Sequence, residues 1–212
     1  MKTMKRAVLC LAFSLLVASS PQVYADGIAP QARQNFVSID ALDVEHHWPA
    51  GVHVHWESGE PDGKPESGIG KHTHCSVFVA AAAKLLGIYI LRPPEHKQIL
   101  LANAQVDWLA GEGASHGWRP LRDAAEAQAQ ANRGLFVVAA YKNRRDDKPG
   151  HIAIVRPGMK SSAALTHEGP DITQAGGRNY RSTTLVQGFA GHPSAWRDRE
   201  VRFYAHAPEL PR

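Results

Sequence analysis

What most constrains the fold of this 212-residue chain is the stretch from Val77 to Leu86, which is apolar on every side except at Lys84. Strong helix formers dominate it, and Gly87 stands where a left-handed C-terminal cap would fall. A helix that is apolar all round has to be enclosed, so the rest of the chain must pack around it. Thr73 is placed to act as its N-cap, and Lys84 suits the negative end of the helix dipole. Cys75 then falls in the first turn. Unpaired backbone N–H groups and the positive end of the dipole there favour a thiolate and could hold an oxyanion. The pattern predicts a cysteine nucleophile mounted on a buried helix, against the plainer alternative of a small buried hydrophobe.

Compartment weighs on that choice. Residues 1–25 read as a signal peptide: Lys2, Lys5 and Arg6 form a positive start, Ala7 to Ala18 a short apolar core, and Val23-Tyr24-Ala25 a cleavage site. The apolar run is too short to span a bilayer comfortably, and no other long apolar segment follows, so no membrane span is expected. The mature chain is expected to begin at Asp26 and to be periplasmic or secreted. Removing three cations from a formal charge of +4 leaves about +1, with no basic block to suggest nucleic acid. The two cysteines, Cys10 and Cys75, fall to one. An unpaired thiol in an oxidising compartment is either a liability or a tool, which favours Cys75 as a nucleophile.

Residues 26–212 are enough for one domain with a sizeable core, expected to be a monomer. Asp26 to Asn35 reads as an extended arm and Phe36 to Val44 as a short helix. From His46 to Lys71 the chain is mainly loop, with a short strand at Val52–Trp56. Six of the twelve histidines lie in or beside this stretch, as His46-His47, His53-Val54-His55 and His72-Thr73-His74. Two residues apart on a strand share a face, so His53 with His55, or His72 and His74 with Cys75, could share a metal. The rival reading is therefore a periplasmic histidine-rich metal-binding protein. No paired CxxC or HExxH pattern supports it, and no metal or other cofactor is assigned.

Further along, Pro94 to Leu109 and Pro120 to Asn132 read as helices, with Trp108 and Trp118 as core residues. The period then changes. Leu135 to Tyr141 and His151 to Arg156 are β-prone runs around a charged turn, which predicts an antiparallel hairpin. Alternation places His151, Ala153 and Val155 on one face, and Ile152 and Ile154 on the other. Ala163 to His167, Asp171 to Ala175, Thr183 to Phe189 and Glu200 to Tyr204 read as further strands.

A cysteine opening a buried helix, followed 76 residues later by Gly-His at the start of an Ile/Val strand, resembles papain-like bacterial cell-wall hydrolases. The likeness is to the cysteine-histidine-dependent amidohydrolase/peptidase (CHAP) class. It rests on His74-Cys75-Ser76-Val77-Phe78-Val79, Gly134-Leu135-Phe136-Val137-Val138 and Gly150-His151-Ile152-Ala153-Ile154-Val155, within Lys71 to Arg181. The resemblance implies Cys75 as nucleophile and His151 as base, with Gln174 as the polar residue that orients the imidazole. Asn179 and Glu168 are the alternatives for that third role. The family usually carries Gln, Asn or Tyr ahead of the cysteine helix to help bind the oxyanion; this chain offers only Thr73, His72 or Trp56.

The expectation is thus an α+β, papain-like domain: N-terminal helices, one bearing Cys75, packed on a small antiparallel sheet. Its expected activity is thiol-dependent hydrolysis of amide bonds, with peptidoglycan or another peptide as substrate. A catalytically inactive cell-wall-binding relative is the second rival.

Overall fold

Helices and strands bury their apolar faces against one another, and here a single six-stranded sheet supplies the common surface. The computed structural model describes residues 27–65 and 72–209. The signal peptide expected at 1–25 lies outside the described residues. The strands are β1 (Arg119–Leu121), β2 (Phe136–Tyr141), β3 (His151–Val155), β4 (Asp171–Gln174), β5 (Tyr180–Thr184) and β6 (Arg202–His206). Their order is β1-β6-β2-β3-β4-β5, with every neighbouring pair antiparallel. The helices are α1 (Pro30–Asp40), α2 (Cys75–Leu85), α3 (Leu101–Ala110), α4 (Ala124–Asn132), α5 (Ser162–Glu168), α6 (Leu185–Gly188) and α7 (Pro193–Arg197).

The class is α+β, but the helices do not all precede the sheet. Every residue of β2 and β3 is buried, so both faces of the sheet need a cover. Phe136, Val138, Ala140, Ile152 and Ile154 pack with α1, α2 and α3 on one face. Val137, Ala139, Ala153, Val155 and Ile172 pack with α4, α5, α6 and α7 on the other. The segment expected as a strand at Ala163–His167 is α5, whose first turn is capped by Ser161 Oγ accepting the Ala164 N–H at 3.2 Å. Such short apolar runs fit either period until a neighbouring layer selects one.

Other boundaries also move: most of the segment expected as a strand at Thr183–Phe189 is α6, and the helix expected from Pro120 starts at Ala124 after β1. The expected extended arm contains the start of α1, because Pro30 suits a first helical turn and Ala32, Phe36 and Ile39 all reach the core. The helix expected from Pro94 starts only at Leu101, after Leu100 adopts a left-handed φ of 56°. The strand expected at Val52–Trp56 is reduced to one bridge, Val54 to Pro61. Trp108 and Trp118 are core residues as expected, at 8% and 2% exposure.

The all-round apolar helix is enclosed as its sequence requires. Cys75 to Ala83 are all buried, and only Lys84 and Leu85 at the C-terminal end reach solvent. The helix stops where Gly87 turns left-handed at φ 74°. There the Ile88 N–H bonds the Ala83 carbonyl at 2.9 Å and the Gly87 N–H bonds the Lys84 carbonyl at 3.0 Å, a Schellman closure. At the other end the cap position is His74, not Thr73, and no side chain caps the helix.

A loop from Asp43 to Asp62 lies over the N-terminal end of α2. Trp48 is wholly buried in it, edge-on to Phe78 of α2 at 5.2 Å. The Gly51 N–H bonds the His72 carbonyl at 2.9 Å, and His74 Nε2 donates to the Val52 carbonyl at 2.8 Å. From the β4–β5 turn, Asn179 Nδ2 donates to the carbonyls of Val44, His47 and Trp48 at 2.8, 2.8 and 3.1 Å. These bonds satisfy loop carbonyls that would otherwise be left without partners near the core.

The glycine before His151 has a steric reason. In the β2–β3 register Tyr141 faces His151. A Cβ on Gly150 would come within 2.1 Å of the Tyr141 carbonyl oxygen and 2.6 Å of Asn103 Oδ1. Gly150→Ala is therefore expected to push the hairpin apart at the head of β3 and to lower stability by about 1–3 kcal/mol in urea denaturation. An unchanged denaturation midpoint would show that the close approach is not needed to place His151.

Candidate active site

The site is built where β3 and β4 stop pairing. Their ladder covers Ile154 with Thr173 and Val155 with Ile172, and the Arg156 N–H bonds the Asp171 carbonyl at 2.8 Å. N–H groups alternate sides along a strand. Those of Ile154 and Ile152 therefore face β4 as well. Ile152 lies past the end of the ladder, and its main-chain N–H goes to the Cys75 thiol instead. Burying α2 on the Ile152/Ile154 face thus sets the first turn of the helix against the open end of the strand pair.

Cys75 is 3% exposed. Besides Ile152, it is held by the Ser76 N–H and the Thr73 side chain. That contact turns the Thr73 hydroxyl toward the thiol, at the position where a capping role was expected. Burial nonetheless pushes the thiol pKa up, outweighing these donors. Desolvation thus works against the thiolate that the start of the helix favours.

His151 opens β3 at 5% exposure. Its Nε2 bonds Gln174 Oε1 on β4 at 2.5 Å. The Gln174 amide is oriented by its other end, where Nε2 donates to the Arg178 carbonyl at 3.0 Å. The amide oxygen facing His151 can only accept, so His151 Nε2 carries the proton and Nδ1 keeps the free lone pair of a neutral imidazole. Burial lowers the His151 pKa to about 4, partly offset by the Gln174 bond. The imidazole is neutral at neutral pH and is in the form of a base.

Of the three orienters named from sequence, Gln174 alone meets His151. Glu168 on α5 pairs with Lys160 at 2.9 Å. Asn179 is the clamp on the Val44–Trp48 loop, and its Oδ1 accepts the Gly176 N–H at 3.0 Å. The thiol and the imidazole are neighbours along the chain of contacts rather than bonded partners. Among the described residues no hydrogen bond joins them: the His151 ring bonds Gln174, and the thiol bonds the main chain of Ile152, the next residue. Strand alternation explains this. The His151 side chain leaves β3 toward the α4–α7 layer, whereas α2 covers the opposite face.

Two residues of that layer were not singled out by sequence reasoning as partners of His151. Phe189, just after α6, meets the His151 ring edge-on at 4.6 Å. His192 lies 6.0 Å from it, ring to ring, and 5.1 Å from Tyr141. Burial lowers the His192 pKa to about 4, with the nearby His151 adding to the shift. Both fall in a stretch whose spacing to His151 is set only by the β4–β5 and α6–α7 excursions, and no local pattern points to them.

Beside Thr73 and His74 opens a cavity of about 410 Å³. His72 and Trp56, the other residues considered for the oxyanion, line it as well. The metal-sharing histidine sets suggested by sequence are not assembled. Among the described residues, no three His, Cys, Asp or Glu side chains are grouped to hold an ion. His53 instead bonds Asp62 at 2.7 Å, and the His53–His55 segment is not a regular strand.

No protein-family model matches the chain, and no curated protein matches it.

Two expectations follow from these charge states. Iodoacetamide labelling of Cys75 should inflect above the ordinary cysteine range near pH 8.5. A fast plateau extending down to pH 5 would instead reveal a thiolate–imidazolium pair. Stability should also depend on His151 and His192. An unfolded histidine titrates near pH 6.5 and these two near 4, so the unfolded chain binds more protons between those values. Their contribution is fully present above pH 6.5 and is lost as the pH falls toward 4. Thermal melts from pH 7 to pH 4 should show this decline, and His151→Gln with His192→Gln should flatten it.

Proposed function

We propose that the protein is a papain-like thiol hydrolase that cleaves amide bonds, with peptidoglycan stem peptide as its substrate. The observation that carries the reading is the arrangement at the head of β3. A thiol at the start of a buried helix rests on the main chain of Ile152, and the preceding residue is an imidazole held in one tautomer by Gln174. The leader-like N-terminus and the resemblance to cell-wall hydrolases supply the substrate.

Cys75 is the nucleophile. Because Nε2 is held by Gln174, Nδ1 of His151 is the nitrogen that takes the thiol proton, and it is the ring nitrogen closest to the main chain. His151 is the first residue of its strand, so Nδ1 and the sulfur can meet around the strand end as substrate enters. The sulfur then adds to the amide carbonyl. The developing oxyanion is met by main-chain N–H groups in the first turn of α2. The protonated imidazole gives its proton to the departing amine as the C–N bond breaks. Water, deprotonated by the same nitrogen, hydrolyses the thioester and restores the thiol. Gln174 keeps the ring aligned without adding charge, and Phe189 shields one edge of the ring from water.

Digestion of purified peptidoglycan, read by mass spectrometry, tests the reading. Wild-type protein should release a defined set of fragments, and Cys75→Ala should release none. His151→Ala should lose at least about 100-fold. Gln174→Ala should lose on the order of 10- to 100-fold, in line with residues that orient a reacting group. Glu168→Ala should retain full turnover, since its carboxylate is engaged by Lys160. Wild-type turnover in Cys75→Ala would sink the assignment.

A further inference from the structure

We infer that the cavity beside Thr73 is a subsite for a carboxylate-bearing part of the substrate; the inference rests on the reading of Cys75 as nucleophile. The cavity and the thiol share a residue. Thr73 lines the cavity wall, and its side chain also bonds the thiol. Thr73 and His74 on its wall directly precede Cys75, so anything seated there lies against the segment that leads into the thiol-bearing helix.

The chemistry of the wall selects an anion. Five histidines and two lysines, Lys64 and Lys97, line the cavity, against the single carboxylate of Asp62. That carboxylate is already neutralised, bonding His53 at 2.7 Å and Lys64 at 3.2 Å. The His53 and Lys64 contacts hold the Asp62 carboxyl down to about pKa 2 although burial opposes this, so it stays ionised and engaged. Imidazole N–H groups and ammonium groups are donors suited to carboxylate oxygens. Trp56, Pro93 and Pro94 add apolar wall, which suits a peptide fragment more than a bare inorganic ion. The same histidines do not form a metal cage, since no three donors are grouped for one among the described residues. With Lys64 paired to Asp62, Lys97 supplies the excess positive charge of the wall, which would bias which peptides enter by their charge.

Alkylation with a matched pair of reagents reads the charge at the thiol without needing the natural substrate. Iodoacetate carries a carboxylate and iodoacetamide does not. The ratio of their rate constants at Cys75 is compared with the same ratio for 2-mercaptoethanol, at pH 8.5 and 10 mM ionic strength. The expected ratio at Cys75 is about 3-fold or more higher, falling back in 0.5 M NaCl as the field is screened. Lys97→Gln and Lys64→Gln should each lower it, and the double substitution should lower it further. Both lysines are exposed at the rim, so these variants should fold. A ratio equal to that of the free thiol would overturn the subsite and leave the nucleophile standing. A raised ratio untouched by the lysine substitutions would place the charge elsewhere and overturn it too. If neither reagent labels the native protein while both label it in urea, the thiol is closed to reagents, and the nucleophile and the subsite fall together.

Discussion

The enclosure of α2 is the constraint on which the rest depends. A helix with nine consecutive buried residues cannot lie on a surface, so the chain must supply cover on every side of it. The sheet covers one side through Ile152 and Ile154, α1 and α3 flank it, and the Trp48 loop closes over its N-terminal end. That enclosure decides where the first turn points. It brings Cys75 to the one edge of β3 where the ladder to β4 has ended and a main-chain N–H is available. The site is thus a consequence of how a hydrophobic helix meets an interrupted sheet.

Burial also sets the electrical character of the pair. Desolvation disfavours charge on both groups, raising the thiol pKa and lowering that of the imidazole. Donors from Ile152, Ser76 and Thr73 act against this at the sulfur and do not overcome it.

Around this centre the polar contacts serve placement. Asn179 spends both ends of its amide on the turn after β4 and on the loop before α2, so these two segments are tied to one side chain. Arg156 does the same for the outer helix, bonding Asp40 of α1 at 2.7 and 3.0 Å and Thr173 Oγ1 at 2.7 Å. Gly150 permits the tight return that delivers His151 to the head of its strand. The Asn179 bonds to the Val44–Trp48 loop and the Arg156 bonds to Asp40 join segments more than 100 residues apart in sequence.

Much of this was legible in the chain. The uniform apolarity of Val77–Leu86 identified a buried helix, and Gly87 marked its end, because composition alone decides whether a helix can face water. Alternation and the charged turn identified the β2–β3 hairpin and the position of His151 at its head, because strand periodicity is local. Gln174 is named through the resemblance, which calls for a polar residue on a strand that follows the histidine, with Asn179 and Glu168 left as alternatives. Other features could not be read this way. Short runs such as Ala163–His167 fit either helix or strand until the second face of the sheet needed covering. The upward push on the Cys75 pKa comes from desolvation, which depends on the whole surrounding shell and not on the helix that carries it. The contacts of Phe189 and His192 with His151, and the gathering of five histidines with two lysines beside Thr73, were decided by tertiary packing alone, since they join segments with no sequence spacing in common. Which face of β3 receives α2 was likewise a packing outcome, and it is what sends the sulfur and the imidazole to the strand end from opposite sides.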